Sequence, residues 1–188
     1  MNTEWVFPTE IWNDRIEGYK SINRKLCKAS MNLFNYDKKG RKKSNYGGWH
    51  SDFLHNYEYD KISDFDELIQ LIQNKLNEKF GKEKITDVWI NINKKNSYNL
   101  AHCHSNCLYS GVYYIKVPEN SGDLVFLDPY KFHNLSIIND KKVSEHSIIS
   151  EEGVLWIFRG WLPHKVKKNL SNDDRISLAF NCKGKNDK

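Results

Sequence analysis

At Thr86 the hydrophobic pattern of the chain changes period, and that change limits the folds open to it more than any other feature. Before it, apolar residues recur every three or four positions, as on one face of a helix. Ile16, Tyr19, Ile22 and Leu26 predict a first helix over 13–27. A stripe of Phe65, Leu68, Ile69, Leu71, Ile72, Leu76 and Phe80 predicts a second, capped by Ser63 or Asp64, with Asp66 and Glu67 in its first turn and Gly81 at its end. Beyond Thr86 the pattern alternates in short β-branched and aromatic runs, at 88–93, 110–117, 123–127, 143–149, 153–158 and 175–180. Turn residues separate most of these runs, as at Pro118–Gly122, Asp128-Pro129 and 139–142. Helices first and strands after predict an α+β chain whose β part is a sandwich, barrel or jelly roll.

A length of 188 residues, 39% of them hydrophobic, suits one domain with a sizeable core. The expected division is a helical part over 1–85 and a β core over 86–182. No apolar run approaches the length of a membrane span, and the N-terminus lacks the pattern of a signal peptide, so the expected address is the cytoplasm. The four cysteines have no framework spacing and are expected to be reduced. Cys103 and Cys107 flank histidines, but a structural zinc site needs a second ligand pair of similar compactness. The net charge of +5 is concentrated in the loop 38–43 and in the C-terminal tail. A solvated loop is the preferred reading of the first cluster, ahead of a contact with an acidic polymer or nucleic acid, so a nucleic-acid partner is not supported by charge.

Three histidines fall on the β part at informative spacings. His102 and His104 are two apart, so in an extended segment their imidazoles leave the same face. His164 follows Trp161-Leu-Pro163, and a jelly roll can bring it beside the first pair. Three ligands on one face of an octahedral ion leave the opposite positions open for a co-substrate and oxygen. Each histidine alone reads as an ordinary strand residue. Eleven positions after His164, Arg175 and Ser177 share a strand face, where a guanidinium and a hydroxyl can clamp a carboxylate. Alone, Arg175 reads as one half of a surface ion pair. Trp49, Tyr57, Tyr59, Tyr109, Tyr113, Trp156 and Trp161 are candidates for a substrate pocket, though strands use such residues more often as core. His50 and His55 read as surface residues that a substrate could touch.

Read together, Asn99-Leu-Ala-His102-Cys-His104-Ser-Asn106, Ser110-Gly-Val-Tyr-Tyr114, Leu124-Val-Phe-Leu-Asp128-Pro129, Trp161-Leu-Pro-His164 and Arg175-Ile-Ser-Leu-Ala-Phe-Asn181 resemble a known family. It is that of the small 2-oxoglutarate/Fe(II)-dependent oxygenases of marine bacteria and phages, relatives of the prolyl hydroxylases. The similarity extends upstream to Ser44-Asn-Tyr-Gly-Gly-Trp-His-Ser51 and so covers most of the chain from Ser44 to Asn181. It implies a cupin-like jelly roll, the double-stranded β-helix, with the N-terminal helices packed on one sheet. It also implies Fe(II), 2-oxoglutarate as co-substrate, and O2, with hydroxylation of a substrate and release of succinate and CO2.

Carried over by position, the resemblance puts iron on His102 and His164, with His104 the expected third ligand, and the far carboxylate of 2-oxoglutarate on Arg175, Ser177 and Tyr114. The sequence departs from the wider superfamily at His104, where an Asp or Glu is usual. Asp128 is the alternative source of a carboxylate, and a shifted pairing of His104 with Asn106 is a third arrangement. The rival readings are a three-histidine iron dioxygenase of cupin type that uses no 2-oxoglutarate, and a non-catalytic jelly-roll binding module. The substrate expected is a small molecule or a peptide; a homodimer is left open.

Overall fold

The computed structural model describes residues 8–81, 83–129 and 145–183. The predicted turn at 139–142, the first two residues of the strand expected at 143–149 and most of the basic C-terminal tail lie outside them. In chain order the elements are β1 (Ile11–Arg15), α1 (Tyr19–Tyr36), β2 (Asn45–Tyr46), β3 (Trp49–His50), α2 (Tyr59–Ile62) and α3 (Asp66–Phe80). Then come β4 (Lys84–Asn93), β5 (Tyr98–His102), β6 (Tyr109–Lys116), β7 (Leu124–Leu127), β8 (Glu145–Ile148), β9 (Val154–Arg159), β10 (His164–Val166) and β11 (Arg175–Lys183). Two antiparallel sheets result, a six-stranded one ordered β1-β9-β6-β11-β4-β3 and a five-stranded one ordered β2-β5-β10-β7-β8. This is the expected double-stranded β-helix with helices laid on one sheet.

The first predicted helix is displaced. Ile11 and Trp12 pair with Phe158 and Ile157 at the edge of the larger sheet, so the chain is still extended through Arg15. The helix starts only after Gly18, whose φ of +70° turns the backbone. It then runs past Cys27, because Leu26, Ala29 and Leu33 continue the buried stripe. Asn23 fastens it to the sheet by accepting from the Tyr113 hydroxyl at 2.7 Å and donating to the Tyr114 carbonyl at 3.2 Å. The stripe of α3 is as expected, with Leu68, Ile72 and Leu76 buried and the helix stopped at Gly81. Ser63 and Asp64 do not cap it; they form a preceding 3-10 turn.

Alternation along the strands of the larger sheet sorts its residues into two jobs. Ile90 and Ile92 of β4, Tyr113 and Ile115 of β6, and Ile176, Leu178 and Phe180 of β11 face the helices and join Leu33, Leu68 and Leu76 in the main core. Such side chains are worth about 1.5–3 kcal/mol each when fully buried. The opposite face is unusually polar for a sheet interior: Asn91, Asn93, Ser110, Tyr114, Arg175, Ser177 and Asn181 look into the space between the sheets. A smaller cluster of Leu124, Phe126, Ile148, Phe158 and Leu162 closes one end of that space. No helix among the described residues is long and apolar enough to cross a membrane.

Candidate functional site

The polar face of the larger sheet and the inner face of the smaller one enclose a cavity of about 610 Å³. His102, His104 and His164 stand at one end of it. His102 and His164 are Cα partners across β5 and β10, so sheet register alone sets their rings 4.4 Å apart. His104 lies just beyond β5 and is fixed by its backbone N–H, which donates to the Gly160 carbonyl at 2.8 Å. Ligand atoms of the three residues all fall within 4.8 Å of one another, and Nε2 of His104 is 3.3 Å from Nε2 of His164. Two neighbouring ligands of an ion bound at about 2.1 Å stand about 3 Å apart, so the spacing fits.

The hydrogen bonds of two rings decide which nitrogen is free. Nδ1 of His102 donates to the Leu100 carbonyl at 2.7 Å, and Nδ1 of His164 to the Leu162 carbonyl at 2.9 Å. A carbonyl only accepts, so each Nδ1 holds the proton and each Nε2 presents a lone pair. Burial depresses all three pKa values, that of His164 to about 4 and that of His104, helped by the neighbouring His164, His102 and His50, to about 3. The rings are therefore neutral and ready to coordinate in ordinary buffers. Asp128 is not in the cluster, and neither is any other carboxylate among the described residues.

These depressed pKa values have a consequence for the metal-free protein. Between the folded values near 3 and 4 and the ordinary 6.5, the unfolded chain binds more protons, so stability falls as pH falls. Chelator-treated protein is expected to lose melting temperature steadily from pH 6.5 towards pH 4. A flat profile over that range would contradict neutral burial of the cluster.

Arg175 lies across the cavity and is 2% exposed. Its Nη1 donates to the carbonyls of Gly122 at 2.7 Å and Ser121 at 3.3 Å. Nε is buried without a hydrogen-bond partner, and Nη2 makes no hydrogen bond among the described residues. An orphaned guanidinium edge in an apolar setting is costly unless something accepts from it, and a carboxylate does so with two parallel bonds. Ser177 stands two residues on, and Tyr114 is its Cα partner on β6, so all three predicted residues line one wall. Burial raises the Tyr114 pKa and the nearby Arg175 charge opposes it, leaving a neutral phenol able to donate.

Gly122 holds Arg175 through its carbonyl from a backbone φ of +88°. A Cβ there would collide with the Lys167 carbonyl oxygen. Gly122→Ala is therefore expected to cost about 1–3 kcal/mol in denaturant unfolding. An unchanged midpoint would show that the turn can relax.

Several cavity residues went unread in the sequence. A chain of hydrogen bonds runs from Asn93, the Cα partner of Arg175, to Asn99 at 3.1 Å, to Ser44 at 3.2 Å and on to Nε2 of His102 at 3.4 Å, tying the two ends of the site together. His50 is not a surface residue: it is buried, stacks on Trp89 with centroids 5.5 Å apart, and lines the cavity. His55 is exposed as expected. None of the seven aromatic candidates lines the cavity, whose aromatic wall is Phe53, Trp89, Tyr114 and Phe158. Trp49, Tyr109 and Tyr113 are core, whereas Tyr59 and Trp161 are exposed. The Ser44–Ser51 segment did carry a signal, since its paired glycines mark the turn that brings Ser44 and His50 to the cavity.

Among solved structures the chain is similar to a prolyl-4-hydroxylase of Pseudomonas putida, at 12% identity over 94% of both chains and a TM-score of 0.66. It is similar to a prolyl hydroxylase of Trichoplax adhaerens solved with a fragment of hypoxia inducible factor, at 13% identity over 92% of this chain and 82% of that one, TM-score 0.63. HygX of Streptomyces hygroscopicus, solved with nickel and 2-oxoglutarate, aligns at 10% identity over 95% and 84%, TM-score 0.69. At such identities the likeness establishes the fold. No curated protein matches the chain in sequence. A family model does, the one described as "Putative 2OG-Fe(II) oxygenase", and its match over residues 87–181 spans β5, β10 and the Arg175 strand. That match takes in just over half of the chain, which thereby belongs to the 2-oxoglutarate/Fe(II) oxygenases.

Proposed function

We propose that the chain hydroxylates a small-molecule or peptidyl substrate in the cytoplasm, with iron on His102, His104 and His164 and the far carboxylate of 2-oxoglutarate on Arg175, Ser177 and Tyr114. The observation that carries this reading is the pairing, across one cavity, of three convergent imidazole nitrogens with a buried guanidinium whose outer edge has no partner among the described residues. Fe(II) bound there would supply coordination of the 2-oxo acid and of O2, and the oxidising power of the reaction. The remaining work belongs to the chain. The Leu100 and Leu162 carbonyls aim the imidazoles of His102 and His164, Arg175 sets the direction of the co-substrate, and Phe158, Val112 and Leu124 add apolar surface to the cavity wall. A three-histidine dioxygenase without 2-oxoglutarate would leave the Arg175 edge with no use.

Anaerobic addition of Fe(II) and 2-oxoglutarate should give a visible charge-transfer band, and aerobic turnover should give succinate. Absence of both would sink the reading. His104 is tested separately, because a carboxylate is the usual group there. His104→Asp is expected to keep the band, shifted in position, and to bind Fe(II) within about tenfold of wild type, whereas His104→Ala should lose more. Equal binding by wild type and His104→Ala would remove His104 from the ligand set.

A further inference from the structure

The lining of the cavity contains no carboxylate among the described residues, although it carries Arg175 and Lys43. This matters through the charge count, which rests on the iron and 2-oxoglutarate assignment above. Three neutral imidazoles leave the full charge of a divalent ion in place, and Arg175 and Lys43 add to it. The doubly charged co-substrate cancels only part, so the loaded cavity holds a formal excess of about two positive charges. A site with a carboxylate at position 104 would hold one fewer.

Lys43 is the charge left for a second occupant. Of the basic run 38–43, only Lys43 lines the cavity. Arg41 is already engaged, its guanidinium 2.8 Å from Asp52 and 4.6 Å above the Phe53 ring. Lys43 makes no ion pair among the described residues. Its backbone is nevertheless held: its N–H donates to Asn45 Oδ1 at 2.7 Å, and Asn45 Nδ2 donates to the Arg41 and Gly48 carbonyls. The Arg41 N–H in turn donates to the His50 carbonyl at 2.7 Å, fastening the loop to the cavity wall. Ser44 follows Lys43 in the chain, and His50, Phe53 and Trp89 line the same cavity, His50 stacked on Trp89 and the Phe53 ring inclined to it by 58°.

We infer that the prime substrate is an organic oxyanion, a carboxylate or a phosphate ester, whose acid group is held by Lys43 while its body lies against Phe53 and Trp89. The aromatic wall favours a body with an unsaturated or apolar face. The basic loop thus has a local task at this cavity.

The test uses the full chain loaded with Co(II) and 2-oxoglutarate. Phenylacetate, phenyl phosphate and phenylacetamide serve as probes, read by paramagnetic broadening of their proton signals and by calorimetry. At least one acid should bind at least tenfold more tightly than the amide, and the tighter acid identifies the head group. Lys43→Gln should weaken that acid at least fivefold while the Fe(II)/2-oxoglutarate band stays as in wild type. Binding of the amide as tight as that of the acids, or acid binding indifferent to Lys43→Gln, overturns the inference. A normal band with no acid bound overturns it alone, whereas a missing band removes the cofactor assignment as well.

Discussion

Arg175→Ala is expected to raise the 2-oxoglutarate concentration for half-saturation by about 10- to 100-fold, with Fe(II) binding in the absence of 2-oxoglutarate unchanged. Charge-assisted hydrogen bonds of the kind the free Nε–Nη2 edge can make are worth about 1.5–3 kcal/mol, and every 1.4 kcal/mol is tenfold. The same change strips the Ser121 and Gly122 carbonyls of their buried donor. Melting temperature must therefore be measured alongside, and Arg175→Lys, which keeps a charge but loses the planar fork, serves as the second variant. Lysine should restore stability more fully than affinity. If both variants bind 2-oxoglutarate like wild type, the carboxylate is held elsewhere.

The second large effect is expected at His164. Its strand pairs with β5 on one side and β7 on the other, its side chain is buried, and Nδ1 donates to the Leu162 carbonyl, so the ring is fixed towards the other two histidines. Losing an outer-shell partner of a metal ligand costs about 10- to 100-fold in affinity, and losing the ligand itself should cost more. His164→Ala is expected to show no charge-transfer band at millimolar Fe(II) and no succinate formation. Calorimetric Fe(II) binding at wild-type strength would mean that the metal lies away from this cluster.

How much of this was legible in advance differs from residue to residue, for physical reasons. The long amphipathic elements were readable because burial imposes a period: α3 and the strands around Ile90, Tyr113 and Phe180 appear close to where the pattern puts them. Short strands have no period to show. β10 is three residues long and β2 and β3 only two, and each owes its existence to the partners it pairs with. Asn13, Asp14 and Arg15 were misread as helix for the same reason, since their strand is decided by Trp156, Leu155 and Val154, far along the chain.

That the three histidines meet at a cavity which Arg175 also lines was legible because such residues are rare on strands and their order matched a family. Asn91 and Asn93 were not. Alternation says that they share a face, but a polar face turned to water and one turned to a cavity look alike in sequence. Their surroundings become visible only when the second sheet closes over them. His50 hid in the same way, as a polar residue in a glycine-containing turn that folds inward.

The division of the larger sheet into an apolar and a polar face has a further meaning for how this protein can change. Along β4 and β11, neighbouring residues answer to different constraints. Altering Ile90, Ile92, Leu178 or Phe180 disturbs the seam with the helices, whereas altering Asn91 or Ala179 reshapes the chamber without touching that seam. New substrates can therefore be accommodated one residue away from positions that tolerate almost nothing, on a scaffold whose folding does not record the experiment.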